Sequence, residues 1–401
     1  MNEAVFTTRH GSEPTGHSAE PVAEAGLKRV LLWGSYDLGK PRCRILRDGL
    51  AQTGVEVIEI HSDIWSRHED KSRIGRLAMA MSLLRLCLAW PVLIWRYLRA
   101  PDHQLVLVPY MGQFDVLVIW LFAKLRDKPV VWDMFISLYD TVVDDRATAA
   151  PRSLSARALW LLEWLGCRTA DLVLMDTDAH ARHISRLFNL RPGRVLSVPV
   201  GAEPDAFHRL PPPAPHPDPT RILFYGQMIP LHGIGVVLAA ALSPRGRLRD
   251  WRLIGTGQDR PLVEAALAGG DAPHIHWQDW VPYWQLSAEI AKADLCLGIF
   301  GASKKAASVV PNKVYQALLS GRAVITRASP AMEEAFAAQP GLELVSHSDP
   351  DSLLDAVERL EQAGFPAIAE DRIALSHPAD IAQSFARHVA PLLKGRPDDA
   401  Q

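Results

Sequence analysis

Cysteine is scarce in this chain: Cys43, Cys87, Cys167 and Cys296 are the four among 401 residues, far apart and with no Cys-x-x-Cys pair. That excludes a disulfide framework and a zinc site of ordinary spacing, and it fits a reducing cytoplasm. Charge of one sign is also lacking, with 43 Lys+Arg against 45 Asp+Glu and a formal net charge of −2. There is no broad basic field for nucleic acid, and no aromatic and basic constellation supplies one locally. The first 26 residues lack the apolar core of a signal peptide and are rich in Gly, Pro, Ser, Thr, His and Glu, so residues 1–26 read as a disordered tail. What is present is a globular composition, 48% hydrophobic and 22% charged, long enough for two or three domains with a large core.

Short apolar runs alternate with helical patterns: Arg29 to Trp33, Val55 to Ile60, Leu105 to Pro109, Pro129 to Asp133, Leu172 to Asp176 and Val195 to Gly201. Apolar runs without strict alternation are what strands covered on both faces look like, so a parallel sheet flanked by helices is expected over residues 27–210. The Pro-rich run 211–219 can join neither helix nor sheet interior and reads as a linker. The rhythm then restarts over 220–377 with Arg221 to Tyr225, Trp251 to Ile254, His274 to Trp277, Leu295 to Phe300, Ala323 to Thr326 and Leu342 to Val345. The fold expected is α/β, two tandem Rossmann-like domains facing a cleft, with a helix from Pro378 to Leu393 inside the closing segment 378–401. That helix is a candidate to pack back on the first domain.

Glycine turns mark the candidate ligand sites. Gly34 follows the first strand, with Lys40 and Arg42 nearby. A plain tight turn explains it as well as an anion site does. In the second half Gly226, Gln227 and His232 follow a strand, and Gly255 and Gly257 end the next one. Lys304 and Lys305 precede Pro311, Asn312 and Lys313, which open a helix. With Gly298 and Gly301 after a further strand, three glycine-bearing turns at strand ends and a lysine-bearing helix start make a diphosphate cradle, although Lys304 and Lys305 also suit a solvated loop.

The order and spacing of these segments resemble retaining glycosyltransferases of the GT-B fold, family four, over roughly residues 28–395 and most strongly from Arg221 to Thr326. The resemblance implies a nucleotide-sugar donor, of UDP or GDP type, held by the second half. A sugar or lipid-linked acceptor is held by the first, and transfer proceeds with retention and without metal or other cofactor. It implies donor-binding roles for Gly34, Gly226, Gln227, Gly255, Gly257, Val281, Lys305, Pro311, Asn312, Lys313 and Gln316. His232 and Lys305 are expected to serve catalysis. The departures are specific. The family's two acidic positions fall on Ser308 and Gln316, and its Arg and Lys on Gln227 and His232. An amide at Gln316 can still bond both hydroxyls of a ribose.

In the first half Asp133 ends a strand on the cleft side and is the expected catalytic carboxylate, while Asp140 and Asp144 suit turn or capping roles. Asp176-Thr177-Asp178 is better explained by N-capping through Asp178 than by a metal, and His180 with His183 lacks a third ligand. From residue 74 to 99 an apolar stretch interrupted by Pro91 carries Arg85, Arg96 and Arg99 with Trp90, Trp95 and Tyr97. It suits peripheral contact with an anionic membrane. A buried helix is the alternative, and a spanning helix would place Arg85 mid-bilayer. The expected function is sugar transfer in cell-surface glycan or glycolipid assembly, in the cytoplasm or on the inner face of the cell membrane. A nucleotide-sugar epimerase and a non-catalytic sugar-nucleotide binding protein are the alternatives.

Overall fold

The computed structural model describes residues 22, 25–65, 76–213, 218–336, 339–366, 368 and 377–394. Nearly all of the expected N-terminal tail, residues 214–217 of the linker, residues 66–75 and the final seven residues lie outside that set.

The chain forms two six-stranded parallel sheets. The first holds β1 (Arg29–Gly34), β2 (Glu56–His61), β3 (Leu105–Val108), β4 (Val130–Asp133), β5 (Leu172–Met175) and β6 (Val195–Ser197) in the order β2-β1-β3-β4-β5-β6. The second holds β7 (Arg221–Tyr225), β8 (Asp250–Ile254), β9 (Ile275–Gln278), β10 (Leu295–Leu297), β11 (Ala323–Arg327) and β12 (Leu342–Val345) in the order β12-β11-β10-β7-β8-β9. Every position of β3, β4 and β5 is buried, because helices cover both faces of a parallel sheet.

In the first half α1 (Pro41–Gln52) lies on one face, where Leu46 and Leu50 meet Val30 and Leu32 of β1. On the other face lie α2 (Arg76–Leu98), α3 (Asp115–Leu125) and α4 (Leu154–Thr169), whose Leu93, Val116, Ile119 and Cys167 meet Leu31 and Trp33. Alternate residues of one strand thus serve opposite layers. A π-helical turn, Asp140–Asp145, joins β4 to α4, and α5 (Asp178–Leu187) follows β5. Pro91 does not interrupt α2, which runs continuously through it. The expected break is corrected: neighbouring turns hold the helix where the ring removes one backbone bond.

The second half carries α6 (Ile234–Leu242), α7 (Arg260–Leu267), α8 (Leu286–Lys292), α9 (Lys304–Ser308), α10 (Asn312–Leu319), α11 (Pro330–Ala335) and α12 (Pro350–Ala363). The last helix, α13 (Pro378–Leu393), returns to the first half and packs on α1 through Ile381, Phe385 and Val389. The approach is so close that a Cβ on Gly49 would stand 2.0 Å from the carbonyl oxygen of Pro378. Val200, Ala202 and Phe207, just before the Pro-rich run, belong to the core of the second half.

Strand order reverses between β1 and β3 in one sheet and between β7 and β10 in the other. The crevices outside the carboxyl ends at these two places are where such sheets accept ligands.

Candidate functional site

The two crevices differ in charge. At the first, Gly34 has φ +127°, and a Cβ there would lie 2.6 Å from Oδ2 of Asp115. That carboxylate accepts from Ser35 N at 2.6 Å and Ser35 Oγ at 2.8 Å, and its other oxygen accepts from Trp90 Nε1 at 2.8 Å. The glycine turn after β1 therefore wraps an internal anion. Burial pushes the Asp115 carboxyl up, the ordinary consequence of removing a charge from water.

At the second crevice a cation stands in the equivalent place. Lys313, in the first turn of α10, is buried and donates to the carbonyl oxygen of Gly298 at 3.2 Å, just past β10. Its ammonium lies 4.1 Å from the centroid of Phe224 on β7, and a Cβ on Gly226 would come within 3.4 Å of it. Burial lowers its pKa to about 7. The same glycine faces His232, whose Cε1 would be 3.1 Å from that Cβ. His232 is held neutral, pushed well below its ordinary range by burial and by Lys313. The ring is enclosed, and Lys313 beside it disfavours a second positive charge.

Gly255 and Gly257 have a structural reason to be glycine. Gly255 has φ +142°, and a Cβ there would lie 1.8 Å from the carbonyl oxygen of Gly226; one on Gly257 would lie 2.4 Å from that of Met228. The two turns are laced by Met228 N to Thr256 O and Asp259 N to Met228 O, at 2.9 and 2.8 Å. Pro311 is the N-cap residue of α10 and Asn312 its first helical residue, so Gly226, Gln227, Pro311, Asn312 and Lys313 gather at one crevice.

Other expected residues are taken up elsewhere. Asp133 is fully buried, and both its oxygens bind the guanidinium of Arg42, at 2.8 and 2.9 Å; Arg42 also donates to the carbonyls of Val198 and Pro199. Gln316 accepts from Tyr225 Oη at 3.2 Å and donates to Tyr283 Oη at 3.3 Å. Tyr283 in turn donates to Glu203, which is paired with Arg44 at 2.6 Å. This chain of bonds links the halves beside buried Val281.

Lys305 is not in a solvated loop. It is buried, bonds Thr141 Oγ1 of the π-helical turn and sits near Asp140, Asp145 and Glu163; burial lowers its pKa while Asp140 and Asp145 oppose the shift. Ser303 Oγ reaches Asp145 Oδ1 at 3.0 Å. Thr177, not Asp178, caps α5, accepting from His180 N at 2.9 Å, while Asp176 pairs with His180 Nδ1 at 2.6 Å. Asp140, Asp144 and His183 bring one ligand atom each within 4.8 Å of one another, so His183 does have carboxylate neighbours. Burial opposes ionisation of Asp140, yet His183 and Lys305 hold its carboxyl below the usual range, so positive charge is already supplied there.

One residue escaped the sequence reading. Arg146 follows the π-helical turn of the first half and reaches across the cleft, its Nη2 3.5 Å from Oε1 of Gln227. Its Nε is buried without a hydrogen-bond partner, and its charge is felt at His232. No local signal marks it, since its place depends on the two halves meeting.

Residues 219–363, most of the second half, match the family described as Glycosyl transferases group 1. No curated protein matches the chain significantly. Among solved structures, sucrose-phosphate synthase from Thermosynechococcus elongatus superposes with a TM-score of 0.67 at 16% identity, over 92% of this chain and 100% of that one. HepE from Anabaena, solved with UDP and glucose, gives 0.58 at 13% identity over 91% and 99%. WaaB, a lipopolysaccharide outer core galactosyltransferase in its apo form, gives 0.56 at 14% identity over 92% and 100%. The two parallel six-stranded sheets with their helices have the GT-B fold.

Proposed function

We propose that this protein is a glycosyltransferase that moves a sugar from a nucleotide diphosphate to an acceptor hydroxyl. The observation that carries the reading is the crevice between β7 and β10. There a glycine turn meets the start of α10 and Lys313 within the segment that matches the glycosyltransferase family, and Arg146 of the first half reaches Gln227 of that turn. Backbone N–H groups at a helix start and fixed cations are what a diphosphate needs, both when bound and when it leaves.

In this reading the cations do the work of a metal. Lys313 comes from the donor half and Arg146 from the acceptor half, so the site is complete only when the halves are together. Closure would exclude water and hold donor and acceptor in line. Neutral His232 can accept or donate one hydrogen bond but carries no fixed charge, and it suits contact with a sugar hydroxyl. Retention of configuration and independence of metal are parts of this proposal. So are a cytoplasmic setting at the inner face of the cell membrane and a lipid-linked acceptor in glycan or glycolipid assembly. The buried free thiols of Cys43, Cys167 and Cys296 support a reducing compartment.

A thermal-shift screen against UDP, GDP, ADP, TDP and CMP and their sugars tests the reading, because a ligand that binds only the folded state raises the melting temperature. UDP is the first choice, since HepE was solved with it. A selective shift, followed by sugar transfer to an acceptor, is expected. No shift with any nucleotide, or an isomerised donor released without acceptor, would overturn it.

A further inference from the structure

Helix α2 has two apolar stripes, and the described residues cover only one of them. Leu86, Leu93 and Tyr97 are buried, and the helix is fastened to the core where Trp33 Nε1 donates to the carbonyl of Leu93 at 3.2 Å and Trp90 Nε1 to Asp115 at 2.8 Å. The other stripe runs Leu77, Met81, Leu84, Leu88, Val92 and Trp95, in steps of three and four residues, and all six are exposed, Leu77 at 80%. Such spacing puts them on one side of the helix.

The uncovered surface continues onto the neighbouring helices. Helix α3 packs beside α2 and exposes Leu121 and Leu125; α4 packs beside α3 and exposes Leu154, Leu161 and Leu165. Single exposed leucines are ordinary, but a joined surface on three adjacent helices marks a place where something docks.

Charge decides what docks. Among the described side chains of these helices the exposed ionised groups are Arg85, Arg96, Lys124, Arg157 and Arg168, all basic, while their acids, Asp115 and Glu163, are buried; exposed Arg99 directly follows α2, and exposed Asp127 stands two residues past α3. Arg99 lies 4.0 Å over the ring of Trp95, an amphipathic pair suited to a headgroup boundary. A hollow lined by Arg168, Arg191 and Arg194 opens near the end of α4. A two-fold dimer through this face would bring like charges together, whereas an anionic bilayer complements them. A spanning helix would strip the buried stripe from the core and set Arg85 in hydrocarbon.

We propose that α2, α3 and α4 together form a platform that lies on an anionic lipid bilayer. In a parallel sheet the helices run opposite to the strands, so helix N-termini stand at the carboxyl ends, toward the cleft. Leu77 and Leu154, the latter 84% exposed, are at those N-terminal ends. The platform therefore brings the cleft rim to the bilayer surface.

Flotation of the full chain with vesicles tests this. Vesicles of phosphatidylcholine with phosphatidylglycerol should carry at least about tenfold more protein than phosphatidylcholine alone, with the excess lost at high salt. The exposed-site double variant Leu84→Glu, Leu88→Glu and the single variant Leu154→Glu should each lose flotation with unchanged melting temperature. Failure of the wild-type chain to float would overturn the platform, as would a dimer that the double variant dissociates. Flotation that Leu154→Glu leaves untouched would reduce the platform to α2. The nucleotide screen reads the sugar-transfer site separately, so either idea can fail alone.

Discussion

Lys313 is where burial and charge meet most sharply. Its ammonium is removed from water and compensated by a carbonyl oxygen and the aromatic faces of Phe224 and Tyr225, so its pKa falls to about 7. A bound diphosphate would restore the charge. The sign follows: at pH 8 the free protein holds Lys313 mostly neutral, the complex holds it charged, and binding takes up about one proton. Calorimetry in buffers of different ionisation enthalpy should show this uptake. Nucleotide affinity should fall as pH rises above 7, by at most about tenfold per unit. Arg146→Ala should weaken nucleotide binding by roughly 10- to 100-fold, the worth of a charge-assisted hydrogen bond, without lowering the melting temperature of the free protein. Asp133 behaves otherwise. Asp133→Asn leaves the buried Arg42 guanidinium without its counter-charge, so it should cost about 3–5 kcal/mol of stability while the nucleotide-induced thermal shift persists. Lost turnover at unchanged stability would restore the catalytic role read from its place at a strand end.

At the scale of the element, the strands were legible because their physics is local. A run such as Leu172–Met175 is apolar throughout since both faces are covered, and nothing distant changes that. The glycine turns were legible as turns but not in their purpose. Gly255 reads as a phosphate-binding residue, yet its geometry is already required by the carbonyl of Gly226. Gly255→Ala should therefore destabilise the empty protein, by more than about 2 kcal/mol in chemical denaturation, because a side chain there meets backbone that cannot move aside. A pure ligand role would leave the empty protein unchanged. Helix α2 was read as apolar, but which stripe is buried depends on Trp33 and Asp115, residues 60 and 25 positions away from their partners Leu93 and Trp90.

At the scale of the molecule, what the sequence hides is everything made by the meeting of the halves. Arg146 against Gln227, Tyr283 on Glu203 and Thr177 on the carbonyl of Ser308 join positions 81, 80 and 131 residues apart, and no pattern of period two or 3.6 encodes them. Lys305 is the sharpest case: its spacing suggests a phosphate ligand, whereas its ammonium enters the acidic turn Asp140–Asp145 of the opposite half. If it is a clasp, Lys305→Ala takes from buried Asp140 and Asp145 the cation they share, leaving His183 beside the first and Arg146 near the second, and the closed arrangement loses part of its support. Small-angle scattering of the nucleotide-free variant should then show a larger radius of gyration than the wild type, and saturating nucleotide should close the gap, since Lys313 and Arg146 still bracket the diphosphate from both sides. If Lys305 is instead a donor ligand, shape stays unchanged and nucleotide affinity falls. The two outcomes separate because a clasp acts on the equilibrium between open and closed forms before any ligand arrives, and a ligand contact acts only afterwards.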